Sequence, residues 1–174
     1  MIKEKELEKL RNTIRYPQGE GITLQYIQNR LKAKADEYQL DVDFYYDQIT
    51  SGLVGTVVNK VAGGKMQDCI VLFHPSHKKD YTKIVFAVGH QGTMAFVETY
   101  AYGMSKNFSK MNRRSAAGKD LKETIFNPDA NASAKAMGRL VVNGLMSLGG
   151  SKAKLQQEEY WYGGIMQIIN EAIS

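Results

Sequence analysis

Hydrophobic and polar positions change rhythm twice along the chain. From Ile2 to Tyr16 the apolar residues Leu7, Leu10 and Ile14 recur at helical spacing, with Glu4/Glu8 and Lys5/Lys9 repeating around them. That pattern predicts a first amphipathic helix. Pro17-Gln18-Gly19-Glu20-Gly21 ends it. Leu24, Ile27, Leu31, Ala35 and Tyr38 then repeat behind Thr23, a residue suited to an N-cap, and predict a second helix.

From Asp41 the period falls to two. Val42, Phe44 and Tyr46 alternate with Asp41, Asp43, Tyr45 and Asp47, the signature of a half-exposed strand. Further strands are expected over Leu53 to Val61, Asp68 to His74, Thr82 to Val88 and Thr93 to Tyr102. Turns are expected at Pro75 to Asp80 and at Gly89-His90-Gln91-Gly92. Connections this short join antiparallel neighbours, because parallel strands need a long crossover. After Gly103 the pattern turns helical again: a basic stretch from Ser105 to Ala117, a short helix from Lys119 to Phe126, and a strongly apolar helix from Ser133 to Leu148. A last helix follows from Ser151 to about Ile173.

The expected fold is α+β: an antiparallel meander of four to five strands with N-terminal and C-terminal helices packed on it. It reads as a single domain over 1–174, helical in 1–40, sheet in 41–104 and helical in 105–174.

Composition supports a globular chain, with 43% hydrophobic and 24% charged residues among 174. The one cysteine, Cys69, cannot form an internal disulfide and sits in the apolar run Cys69-Ile70-Val71-Leu72-Phe73. It reads as a buried core thiol in a reducing compartment. The opening Met1-Ile2-Lys3-Glu4-Lys5-Glu6 is too charged for a signal-peptide core. The best candidate span, Ala136 to Leu148, holds Arg139 and Asn143 and falls short of the roughly 20 apolar residues a bilayer needs. A cytoplasmic protein without membrane association is expected.

Charge distribution adds a candidate interface. The net charge is +5, and residues 105–125 hold six basic side chains against two acidic ones. On a helix, Lys106, Lys110, Arg113 and Arg114 fall near one face and could meet a phosphate backbone or another anionic partner. A solvated helix face is the plainer reading. No familiar nucleic-acid-binding motif accompanies it.

Candidate chemistry is sparse. On the last strand, Met94, Phe96, Glu98, Tyr100 and Tyr102 share one face, and Thr93, Ala95, Val97, Thr99 and Ala101 the other. If the aromatic face is covered, Glu98 is a buried carboxylate with a raised pKa, able to hold a polar ligand or move protons. The plainer expectation is that the small-residue face packs and Glu98 meets water. His74 and His77 end one strand and His90 the next. Consecutive turns of a meander lie at opposite ends of the sheet, so no three-histidine metal site is expected. Gly63-Gly64-Lys65 and Gly89-His90-Gln91-Gly92 lack the spacing of a phosphate loop and read as hairpin turns.

In the last helix, Tyr160-Trp161-Tyr162-Gly163-Gly164 sets two glycines in a helix interior, at about 1 kcal/mol each relative to alanine. A close approach, a kink or room for a ligand would compensate, with Trp161 and Tyr162 lining a pocket or subunit contact. No hydrolase, zinc-protease, Walker or dinucleotide fingerprint is present.

Three functions follow in order. The first is a binding or assembly protein, a homo-oligomer or one with a small-molecule pocket between sheet and helices, lined by Glu98, Tyr100, Tyr102, Trp161 and Tyr162. The second is an anion- or nucleic-acid-binding protein using 106–122. The third is a small-molecule enzyme with Glu98 or a histidine as acid/base. No cofactor, metal or catalytic residue is assigned.

Overall fold

The computed structural model describes residues 1–50, 66–103 and 151–173. They form two compact units, the first from residues 1–30, 42–103 and 173 and the second from residues 31–41 and 151–172. The expected strand at 53–61, the Gly63-Gly64-Lys65 turn and the helices expected over 105–148 lie outside the described residues. So do Lys106, Lys110, Arg113 and Arg114.

The first unit is built on a seven-stranded mixed sheet. Its strands are β1 (Ile2–Lys3), β2 (Leu7–Lys9), β3 (Ile14–Tyr16), β4 (Asp43–Thr50), β5 (Met66–Phe73), β6 (Lys83–Gln91) and β7 (Met94–Tyr102). From β4 to β7 each strand pairs antiparallel with the next. A tight turn at Gly92-Thr93 joins β6 to β7, and Gly92 takes the positive φ (59°) that a two-residue hairpin needs at its first position. Gly89, His90 and Gln91, expected in that turn, continue β6 instead.

The N-terminal segment departs most from expectation. Residues 2–16 form three short strands around a 3₁₀ turn at Glu4–Glu6, not a helix. β1 runs parallel to β4, with Ile2 opposite Ile49, while β2 and β3 run antiparallel to β7. The sheet order is β1-β4-β5-β6-β7-β2. Because β1 and β2 are consecutive in the chain, this segment touches both edges and bends the sheet into a barrel-like ring. An antiparallel meander of four to five strands is thereby corrected to a mixed sheet of seven. Two open edges, each with a row of unpaired amides, outweigh the helix propensity of glutamate and lysine.

Ile2, Ile49, Cys69, Val71, Val85, Ala87 and Tyr100 fill the inside of the ring, with Leu7, Tyr45 and Tyr102 packed against them. On β4 the inward residues are thus Tyr45 and Ile49, while Tyr46 is exposed. This reverses the expectation that Val42, Phe44 and Tyr46 form the apolar face. Ile70, Leu72, Ile84 and Phe86, on the opposite face, are fully buried as well. Burial on both faces explains the near-continuous apolar runs of β5 and β6.

Helix α1 (Leu24–Tyr38) starts at Thr23, whose Oγ1 accepts the Tyr26 N–H at 3.1 Å. Its first turns lie beside β4, where the Tyr46 hydroxyl is 2.9 Å from Gln25 Oε1 and 3.0 Å from Gln28 Oε1. The helix ends in a Schellman motif. The Leu40 N–H bonds Ala35 O and the Gln39 N–H bonds Asp36 O, with Gln39 at φ 55°.

In the second unit the C-terminal half of α1 meets α2 (Ser151–Ala172) in antiparallel fashion. The Tyr38 hydroxyl donates to Glu171 Oε1 at 2.6 Å, Lys34 Nζ reaches Glu171 Oε2 at 3.3 Å, and Trp161 Nε1 donates to Asp41 O at 2.9 Å. A Cβ built on Gly164 would stand 2.7 Å from Leu40 Cδ1, whereas one on Gly163 meets nothing within 4 Å. The two glycines therefore differ. Gly163→Ala should gain most of the helix-propensity difference, about 0.5–1 kcal/mol. Gly164→Ala should lose that gain to the displacement of Leu40, for a net cost of about 1 kcal/mol. Urea denaturation of the pair checks the sign. No helix among the described residues is long and apolar enough to cross a membrane.

Candidate functional site

Glu98 occupies the middle of β7 and faces the inside of the ring. Antiparallel register sets it opposite Ala87, which lies opposite Cys69, which lies opposite Asp47. Its side chain is 1% exposed, so the expectation of a solvated carboxylate does not hold. Taking a carboxylate out of water costs several kcal/mol unless it is paired and hydrogen-bonded. Three donors meet that demand. The Tyr100 hydroxyl donates to Oε2 at 2.7 Å, the Thr13 hydroxyl donates to Oε1 at 3.1 Å, and Lys9 Nζ stands 3.5 Å from Oε1. Lys9 also donates to Thr13 Oγ1 at 2.9 Å, closing the network.

A bulge makes this convergence possible. Lys9 pairs with Tyr100 and Ile14 with Val97, so residues 10–13 of the N-terminal segment oppose only Glu98 and Thr99. The Leu10 N–H still reaches Thr99 O at 3.0 Å. Two extra residues are absorbed there. In a regular ladder Arg11 would face Glu98, and Thr13 would lie about 7 Å further along β7. The bulge draws Thr13 back, and both Lys9 and Thr13 then reach one carboxylate.

Asp47, on the same inner face, accepts from the Gln48 N–H at 2.8 Å and lies 2.7 Å from the Met1 ammonium. Burial works to raise its carboxyl, but those two contacts outweigh it and hold the group below the usual range. Lys83 Nζ lies 5.8 Å from the Tyr45 ring and 5.7 Å from the Tyr102 ring, within cation–π range.

Burial, and then the nearby Asp47 charge, pushes both the Cys69 thiol and the Tyr45 phenol up to about 12. Both stay neutral in the folded protein while their unfolded counterparts ionise at ordinary values. The unfolded chain thus holds fewer protons above about pH 9, and stability should fall as pH rises from there toward 12. The urea midpoint measured between neutral and strongly alkaline pH checks this. Replacing Cys69 by alanine should flatten the decline.

Tyr100 and Tyr102 of the proposed ligand set are on the Glu98 face, and Tyr100 is bonded to it. Trp161 and Tyr162 are buried residues of α2 in the second unit. The histidines divide as strand geometry requires. His74 and His77 share the turn after β5, with ring centroids 4.8 Å apart, and His77 stacks on Tyr81 at 4.2 Å. His74 Nδ1 accepts the Ser76 N–H at 3.1 Å. His90 is near the far end of β6, on the face opposite Glu98. Among the described residues, no three histidine, cysteine or acidic side chains are grouped to hold a metal ion.

Lys9 and Thr13 are the neighbours of Glu98 that the pattern of the chain concealed. They fall within the segment whose spacing predicts a helix, and nothing local ties them to residue 98. No protein-family model matches the chain, and no curated protein or solved structure is significantly similar to it.

Proposed function

We propose that the chain is a non-enzymatic binding or assembly protein that forms homo-oligomers. The observation that carries this reading is the engagement of Glu98. A general acid or base needs an oxygen within hydrogen-bond reach of a substrate. Here Oε1 is met by Thr13 and Lys9 and Oε2 by Tyr100, beside a core cluster of aliphatic and tyrosine side chains. The carboxylate is employed in tying residues 9 and 13 to β7.

The outer surface adds support. Tyr46 is 54% exposed and Tyr26 38% exposed, beside Gln25, Gln28 and Arg30. Exposed tyrosines with a neighbouring arginine match the composition of protein-binding surfaces. Sedimentation velocity from low to high micromolar concentration tests the reading. Concentration-dependent association is expected in wild type and in Glu98→Gln alike. A strict monomer, with small-molecule turnover that disappears in Glu98→Gln, would contradict it.

The charge excess in residues 105–125 favours a second reading, binding of nucleic acid or another polyanion through Lys106, Lys110, Arg113 and Arg114. Oligonucleotide affinity that falls steeply with salt is its expected mark. No retention on a phosphate-rich matrix at low salt would remove it.

A further inference from the structure

Residues 2–16 hold the ring closed from outside its continuous β4–β7 meander. They contribute only two-, three- and three-residue strands, and most of their charged side chains are exposed. Their grip is nevertheless specific. Ile2 and Leu7 enter the core cluster, Ile2 lies opposite Ile49, and Lys9 and Thr13 converge on Glu98. The seat on β4 and β7 is therefore complementary to this segment in register, in apolar contacts and in charge.

The seam is also imperfectly satisfied. Three buried side-chain oxygens have no hydrogen-bond partner among the described residues, and two lie here: Glu4 Oε2 in the 3₁₀ turn and Thr99 Oγ1 opposite the bulge. Weakly held elements of this kind open locally before the rest of a fold.

We propose that two copies of the chain assemble by exchanging residues 2–16, each segment seating on β4 and β7 of the other copy. This rests on the assembly reading above and names its mechanism. Identity of sequence makes the partner's segment as good an occupant as the chain's own, so every contact of the closed ring is recovered. The path would diverge at the exposed Glu20-Gly21, beyond Gly19, which its N–H to Thr93 O holds on β7 and which would travel with the segment. The Glu98 contacts to Lys9 and Thr13 would then link two molecules.

A mixed-disulfide experiment decides it. Glu8 and Ala101 are direct cross-strand partners, a relation that brings Cα atoms to about 4.5–5.5 Å, inside disulfide range. Glu8→Cys and Ala101→Cys are made in separate chains, co-incubated at high concentration, and oxidised. Exchange predicts a covalent heterodimer between the two variants, suppressed when excess wild-type chain competes for both partners. The chain carrying both substitutions, at low concentration, should close within itself, confirming fold and register. No heterodimer under conditions where the double variant does close overturns the exchange. Sedimentation of the same samples separates the two failures. Non-covalent dimers without the mixed disulfide leave assembly through another surface, whereas monomers throughout overturn both.

Discussion

Replacing Glu98 by alanine should destabilise the protein by about 2–4 kcal/mol, although it removes a buried charge. The loss removes the acceptor that the Tyr100 and Thr13 hydroxyls now share, at about 1–3 kcal/mol for hydrogen bonds to a charged group, and opens a void beside Ala87. The relief of an ion's desolvation offsets part of this. Glu98→Gln keeps an oxygen for one hydroxyl and nearly the same volume, and should cost about 1 kcal/mol. If glutamate were only tolerated at this position, Glu98→Leu would instead be neutral or stabilising. Urea denaturation of the three variants distinguishes these outcomes.

The second large effect is expected at Gly19, where the chain turns from β3 toward α1. Its N–H donates to Thr93 O at 2.8 Å, and it packs directly on Ala95 of β7. A Cβ there would stand 2.7 Å from the Ala95 nitrogen and 3.0 Å from Tyr16 O, besides colliding with the Ala95 Cβ. Two of those three neighbours are backbone atoms of paired strands, since Tyr16 lies opposite Ala95. They cannot rotate away as Leu40 can from Gly164. Gly19→Ala should cost about 3 kcal/mol, a fall in Tm of roughly 6–12 °C for a chain of this size. Gly19→Val should cost more. A thermal melt within a few degrees of wild type would show that the turn can move off β7.

These sites mark where the chain's local pattern stops carrying its structure. The pattern suffices for β5, β6 and β7, whose runs of valine, isoleucine and phenylalanine are bounded by turn residues, and for α1 behind Thr23. It fails over residues 2–16 because Leu7, Leu10 and Ile14 fit a helical stripe, and glutamate and lysine favour helix. The outcome there depends on edges formed by residues 43–50 and 94–102, which no short window contains. The bulge is equally hidden: its effect is to move Thr13 two positions along β7. On β4, alternation is plain, but Tyr45 and Tyr46 are equally apolar, and only closure of the ring decides which one faces inward. The Gly163-Gly164 pair advertised a close approach. Naming Leu40 as the neighbour required the Schellman turn that ends α1.

Glu98 shows the same division. Its place on an aromatic face is legible from alternation, whereas its partners are not, because Lys9 and Thr13 join it through non-local pairing. Through Lys9 and Thr13 this carboxylate fastens the closing segment to β7. A double-mutant cycle of Lys9→Met and Glu98→Gln, read by urea denaturation, tests it most directly. A favourable coupling of about 1–2 kcal/mol is predicted, above the value for an ordinary exposed ion pair. Coupling within a few tenths of zero would mean that Lys9 and Glu98 are independent and that the carboxylate does not hold the segment in place.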